Sequence, residues 1–135
     1  MNKISMKLFT LCVAIITGLG MLALAAEKTA EPKRGKLRHV VAFKFKQDTT
    51  KAQIKQVEDA FRDLRKRIPE IAEFEWGINS SPEGKNKGCT HGFILTFGSE
   101  KDRDAYLPHP AHKEFGKLVG PLLDDVFVID FWAKP

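Results

Sequence analysis

The chain is short of cysteine, of tyrosine and of net charge, and each shortage excludes something. Only two of its 135 residues are cysteine, Cys12 and Cys89, and only one is tyrosine, Tyr106. Cys12 lies in an apolar N-terminal run. A chain that loses that run keeps Cys89 alone and can close no internal disulfide, so its fold must be held by an apolar core. A lone cysteine between Gly88 and Thr90 reads as a small strand residue rather than a nucleophile. No thiolate pair is available for a structural zinc site. The formal charge is only +5, and without Lys3 and Lys7 the 22 basic residues become 20 against 17 acidic ones, about +3. Much of that excess lies in "EKTAEPKRGKLR", residues 27–38. A charge so small and so spread out argues against nucleic-acid binding. There is no internal repeat and no low-complexity tract.

Lys3 and Lys7 precede an apolar run from Leu8 to Leu24, and Ala23 and Ala25 put small residues where a signal peptidase reads. That is the layout of a secretory signal over residues 1–25, followed by a polar linker over 26–36 and a domain over 37–133. The expectation is a secreted or periplasmic protein. Cleavage would leave about 110 residues, enough for a modest core. The alternative is a membrane anchor through residues 8–24, although that run is a little short for a spanning helix. Membrane contact is expected only on that alternative. Leu11 beside Cys12 argues against lipid attachment there.

Four strand-like runs and two main helical stretches follow. "LRHVVAFKFK", residues 37–46, reads as the first strand. Asp48, Thr49 and Thr50 are good cap types for a helix over 51–68, where Ile54, Val57, Phe61, Leu64 and Ile68 make one apolar stripe and Pro69 ends it. Strands are expected over 73–81 and 89–98, with the turn "PEGKNKG" between them. Ser99 caps a short helical turn, Pro110 opens a helix over 110–123, and a last strand covers 124–133. The order is β-α-β-β-α-β, a ferredoxin-like α+β domain: a four-stranded antiparallel sheet with the helices on one face.

Helices on one face leave the other bare, yet several strands are apolar on both. Val40, Ala42, Ile94, Phe127, Ile129 and Phe131 would form a large exposed apolar patch, which marks an interface. The expected partner is a second copy, stacked sheet to sheet as a homodimer with a shared barrel-like core.

Strand parity sets the polar groups. His39 shares a face with Val41 and Phe43, His91 with Phe93, and Asp130 with Val126 and Val128. If these faces lie under the helices, His39, His91 and Asp130 line an apolar interior with Val41, Phe93 and Phe61, and "YLPHPAH" closes one end. His39, His91 and Asp130 could equally be paired core groups with no chemistry. Tyr106 could simply cover the core. His109 and His112 are three apart and lack the i, i+4 spacing with a Glu seen in helical zinc sites, so no metal or other cofactor is expected. For acid–base work, His112 sits near a helix N-terminus, where the dipole disfavours imidazolium, and Tyr106 could donate a hydrogen bond.

"HVVAFKFK", "FEWGINSSPEGKNKGCTHGFILTF", "AYLPHPAHKEF" and "VIDF" together resemble the stress-responsive A/B barrel (Dabb) family over residues 37–132. The resemblance implies a ferredoxin-like dimeric α+β barrel. It implies no single activity, because most members have none assigned. One member closes a polyketide chain by aldol condensation, with a Tyr and the second His of this segment. On that pattern Tyr106 would polarise a carbonyl and His112 would act as base, as in a cyclase or lyase, with His39, His91 and Asp130 lining the cavity. A small apolar ligand held without turnover, and a stress-protective dimer without a ligand, are the other two readings.

Overall fold

The computed structural model describes residues 35–134. The expected leader and nearly all of the expected linker lie outside them. The chain runs β1 (Leu37–Phe45), α1 (Lys51–Arg67), β2 (Glu73–Ile78), β3 (His91–Phe97), α2 (Glu100–Tyr106), α3 (Pro110–Val119), a 3-10 turn (Gly120–Leu122) and β4 (Leu123–Trp132). The strands form one antiparallel sheet in the order β2-β3-β1-β4. This is the ferredoxin-like α+β arrangement read from the sequence. Among the described residues no helix is long and apolar enough to cross a membrane.

Local chemistry sets the helix starts. Thr50 caps α1 through a capping box: its Oγ1 accepts from the Gln53 backbone N–H at 3.2 Å, and Gln53 Oε1 accepts from the Thr50 N–H at 2.9 Å. Arg65, Lys66 and Arg67 fill the last turn, where they complement the dipole. Ser99 caps α2 by accepting from the Asp102 N–H at 3.1 Å. His109 caps α3, its Nδ1 accepting from the Ala111 N–H at 3.1 Å, and Pro110 takes the first helical position.

Three boundaries differ from the expected ones. β2 stops at Ile78 because Asn79 turns the chain, its Oδ1 accepting from the Ser81 N–H at 3.1 Å. β3 begins at His91, since Cys89 still belongs to the turn, where its N–H donates to the Asn86 carbonyl at 2.9 Å. That turn needs Gly88: its φ is +85°, and a Cβ there would lie 2.8 Å from Lys44 Cε. α3 tightens into the 3-10 turn at Gly120, because Pro121 has no N–H to continue it.

The core lies between the sheet and the helices. Leu37, Val41 and Phe43 of β1 and Phe93, Leu95 and Phe97 of β3 are buried against Val57, Phe61 and Leu64 of α1 and Ala111, Phe115 and Val119 of α3. Phe61 is the hub, with ring centroids 4.4 Å from Phe115 and 4.5 Å from Phe93. The edge strand departs from expectation. Pairing puts Val126, Val128 and Asp130 in line with the buried Phe43, Val41 and His39, on the same side of the sheet. Val126 and Val128 are nevertheless 47% and 51% exposed. The helices stand over the inner strands and touch β4 only at its far end, where α2 meets Asp130 and Trp132, so the expected covering of Val126 and Val128 is corrected. On the opposite face Phe127, Ile129 and Phe131 are also about half exposed.

Candidate functional site

The sheet's pairing places His39 directly opposite Asp130. His39 is buried, and its Nδ1 lies 2.6 Å from Asp130 Oδ1. The other carboxylate oxygen, Oδ2, accepts from Arg103 Nη1 at 3.1 Å. An ionised carboxylate only accepts, so the His39 proton is on Nδ1 and donates to Asp130. Nε2 is then the acceptor nitrogen, and it makes no hydrogen bond to a described residue.

Two further groups join this end of the molecule. Tyr106, at the end of α2, packs edge-on against His39 with centroids 5.7 Å apart, and tilted against His112 at 4.2 Å. Burial, and secondarily the Asp130 charge, push its phenol pKa well above the ordinary value. It is therefore a neutral donor at any physiological pH. Its hydroxyl makes no hydrogen bond to a described residue. His112, on α3 and half-buried, lies 2.9 Å through Nδ1 from the Leu107 carbonyl. A carbonyl only accepts, so Nδ1–H donates and Nε2 is again the acceptor nitrogen. The result is two imidazoles in the same tautomer and one neutral phenol, seated in an aromatic surround that includes Phe97. Such a set can accept a proton at nitrogen and donate a hydrogen bond from the phenol.

His91 is not part of this cluster. On β1 it lies opposite Phe43, whereas His39 lies opposite Leu95, which separates the two by about 13 Å along the strand. His91 Nε2 lies 3.1 Å from Glu58 Oε1 and its Nδ1 2.8 Å from Thr90 Oγ1. Nε2–H donates to the carboxylate and Nδ1 accepts from the hydroxyl, so both ring nitrogens are used within the chain. Val41, Phe61 and Phe93 are core residues packed between the two ends. The expected single cavity is thus resolved into two polar ends and a filled aromatic middle. Among the described residues no three His, Cys, Asp or Glu side chains converge on a common point as metal ligands do.

A concavity of about 790 Å³ lies away from the Tyr106 cluster, toward the β2–β3 loop. Val40, Ala42, Ile94 and Phe127 of the open sheet face line it, with Trp76, His91 and Phe93 on its other walls. Its apolar floor is the patch that the sequence marks as an interface.

Arg103 and Glu58 belong to no motif in the sequence. Each has a signal in retrospect: Arg103 lies three residues before Tyr106 on the same helix face, and Glu58 lies three before Phe61 on the buried side of α1. Their partners are distant in sequence, which is why the pairings were not legible.

Residues 37–133 match the stress responsive A/B barrel domain, Dabb. A stress-response A/B barrel domain-containing protein of Arabidopsis thaliana is 34% identical over 101 residues, covering 75% of this chain and 93% of that protein. Olivetolic acid cyclase of Cannabis sativa is 28% identical over 98 residues, covering 73% and 97%. Among solved structures, a hydroxynitrile lyase from Passiflora edulis superposes with a TM-score of 0.71 at 28% identity, covering 76% of this chain and 96% of that one. A dimeric ferredoxin-like protein of unknown function from Thermobifida fusca gives 0.64 at 25% identity, covering 73% and 92%.

Proposed function

The chain belongs to the stress-responsive A/B barrel family, and on that premise we propose that it is an exported homodimer that binds a small organic molecule beside Tyr106, His39 and His112. The ligand would combine an apolar body with a carbonyl or hydroxyl group. The observation that carries this reading is the buried Tyr106 phenol, without a hydrogen bond to any described residue, next to two imidazoles whose Nε2 atoms are likewise uncommitted. Three polar atoms without a partner in the chain, gathered among aromatic rings, are what a ligand with its own polar group would complete.

The same observation favours a second reading, in which the site turns its ligand over by acid–base chemistry. Tyr106 would polarise a carbonyl, and the Nε2 of His112 would take a proton from the adjacent carbon or hydroxyl. A cyclase and a lyase among the similar proteins are consistent with that.

Self-association is supported by the open apolar face and by solved relatives described as dimeric. Export rests on Lys3, Lys7, the apolar run and the Ala23–Ala25 signature. N-terminal sequencing of the secreted protein tests it, and a retained Met1 would refute cleavage. Native mass spectrometry of that protein tests the rest: the expected species is a dimer carrying a retained small molecule. Tyr106→Phe and His112→Ala should abolish retention or turnover with little change in melting temperature. If instead His112→Ala costs several kcal/mol and no ligand is retained, the cluster is only a structural knot.

A further inference from the structure

Asp130 is held from two sides, by different atoms. Its Oδ1 takes the His39 proton at 2.6 Å, and its Oδ2 takes Arg103 Nη1 at 3.1 Å. Arg103 is itself aimed: its Nε and Nη2 donate to Asp104 Oδ1 at 3.0 and 2.8 Å, which leaves Nη1 to reach across to β4. The side chains of Arg103 and Asp130 are only about a quarter exposed, at 23% and 26%. The arrangement therefore ties α2 to the edge strand, which no helix covers. It also ties β4 to β1 through the histidine. Tyr106 follows Arg103 by three residues on the same helix.

We propose that Arg103 is a positioning residue: by occupying Asp130 Oδ2 it turns Oδ1 toward His39, holds that imidazole in the Nδ1–H tautomer, and so presents Nε2 as a second proton acceptor beside Tyr106. A guanidinium can only donate, so whichever Asp130 atom it holds must be an acceptor. The opposite atom of the carboxyl group then decides the histidine's tautomer, as the carboxylate does in His–Asp pairs generally. Without Arg103 the Asp130 side chain sits on an exposed edge strand with water as a competing partner. Its hold on His39 then loosens. The assignment rests on the reading of this cluster as a ligand site and deepens it. The ligand class that two imidazole Nε2 acceptors and one phenol suit is a carbonyl compound with an acidic hydrogen on carbon or oxygen.

The tautomer can be read without any ligand, in long-range ¹H–¹⁵N spectra of the full chain with ¹⁵N-labelled histidine. The native protein should show His39 protonated at Nδ1. The decisive variant is Asp130→Asn, which keeps the shape. Arg103 can hold only the amide oxygen, so the amide nitrogen faces His39 and donates to Nδ1. The His39 proton should move to Nε2. If His39 keeps its Nδ1 proton in Asp130→Asn, Arg103 does not direct the group and the proposal fails. Arg103→Gln with Asp130 intact should give a mixture of both tautomers, and Arg103→Lys should restore most of the Nδ1 form. A single unchanged Nδ1–H signal in Arg103→Gln would reduce Arg103 to a surface ion pair and overturn the role. Should Arg103→Gln not fold, Asp130→Asn decides alone. The two claims separate cleanly. Retention of a small molecule without the tautomer change sinks only the role of Arg103, and the change without retention sinks only the ligand reading.

Discussion

Tyr106 is a phenol whose ionisation the fold opposes. It is 1% exposed, and burial with the Asp130 charge raises its pKa in the folded state. A raised folded pKa means that stability is complete below the unfolded value, about 10, and declines as pH rises beyond it, because only the unfolded chain can ionise there. Melting temperature should therefore fall as pH rises above about 10, and Tyr106→Phe should flatten that decline. A wild-type curve with no drop attributable to Tyr106 would remove the buried phenol from the argument. Among the histidines the structure separates roles that residue type could not. His109 caps a helix, His91 spends both nitrogens inside the chain, and His39 and His112 each keep one. The cap at His109 follows from its place just before Pro110, the first helical position of α3. The sequence could not separate His91 from His39, because both occupy inward strand positions and differ only in what α1 and β4 bring to them.

At the scale of elements, α1 carries the core and its start is chemically defined. Thr50→Ala removes one half of the capping box and should cost about 1 kcal/mol, read from urea unfolding, with Thr50→Ser near neutral. Phe61 joins α1 to the sheet and to α3 through ring contacts of 4.4–5.7 Å. Phe61→Ala should cost about 3–5 kcal/mol, a large part of a typical domain's stability. A loss under 1 kcal/mol would mean that the aromatic middle is loosely filled and open to a ligand. β4 is the element whose environment the sequence misread. Alternation along it correctly paired Asp130 with the His39 side of the sheet. Alternation says nothing about how far two helices extend sideways, and the strand order leaves β4 at the edge.

For the whole molecule, the question is what covers the open face. Val40, Ala42 and Ile94 are half-buried there, and Phe127, Ile129 and Phe131 remain 45–53% exposed. A patch of that composition on a single chain favours association. Phe127→Lys should convert a dimer into a monomer in sedimentation velocity while leaving the circular dichroism spectrum unchanged. A dimer that persists at micromolar concentration would exclude this face. Polar groups at one corner of the same face, where Arg38 bonds to Thr96 and approaches Glu73 and Glu75 at 3.5 Å, limit how far an apolar contact could spread.

The sequence by itself determined the order and type of the elements. Periodicity, caps and breakers are local: Thr50, Ser99, Pro110 and the Ile54–Ile68 stripe act within a turn or two of themselves. It also determined which face of each strand a side chain occupies, because the period of two is built into the backbone. Only the tertiary structure decided that His39 and His91 lie at opposite ends of the sheet, that Asp130 belongs to His39, and that Arg103 and Glu58 take part. Those outcomes depend on strand register and on where a helix ends over a sheet. Both are set by packing between segments 27–91 residues apart, as in Arg103–Asp130 and His39–Asp130.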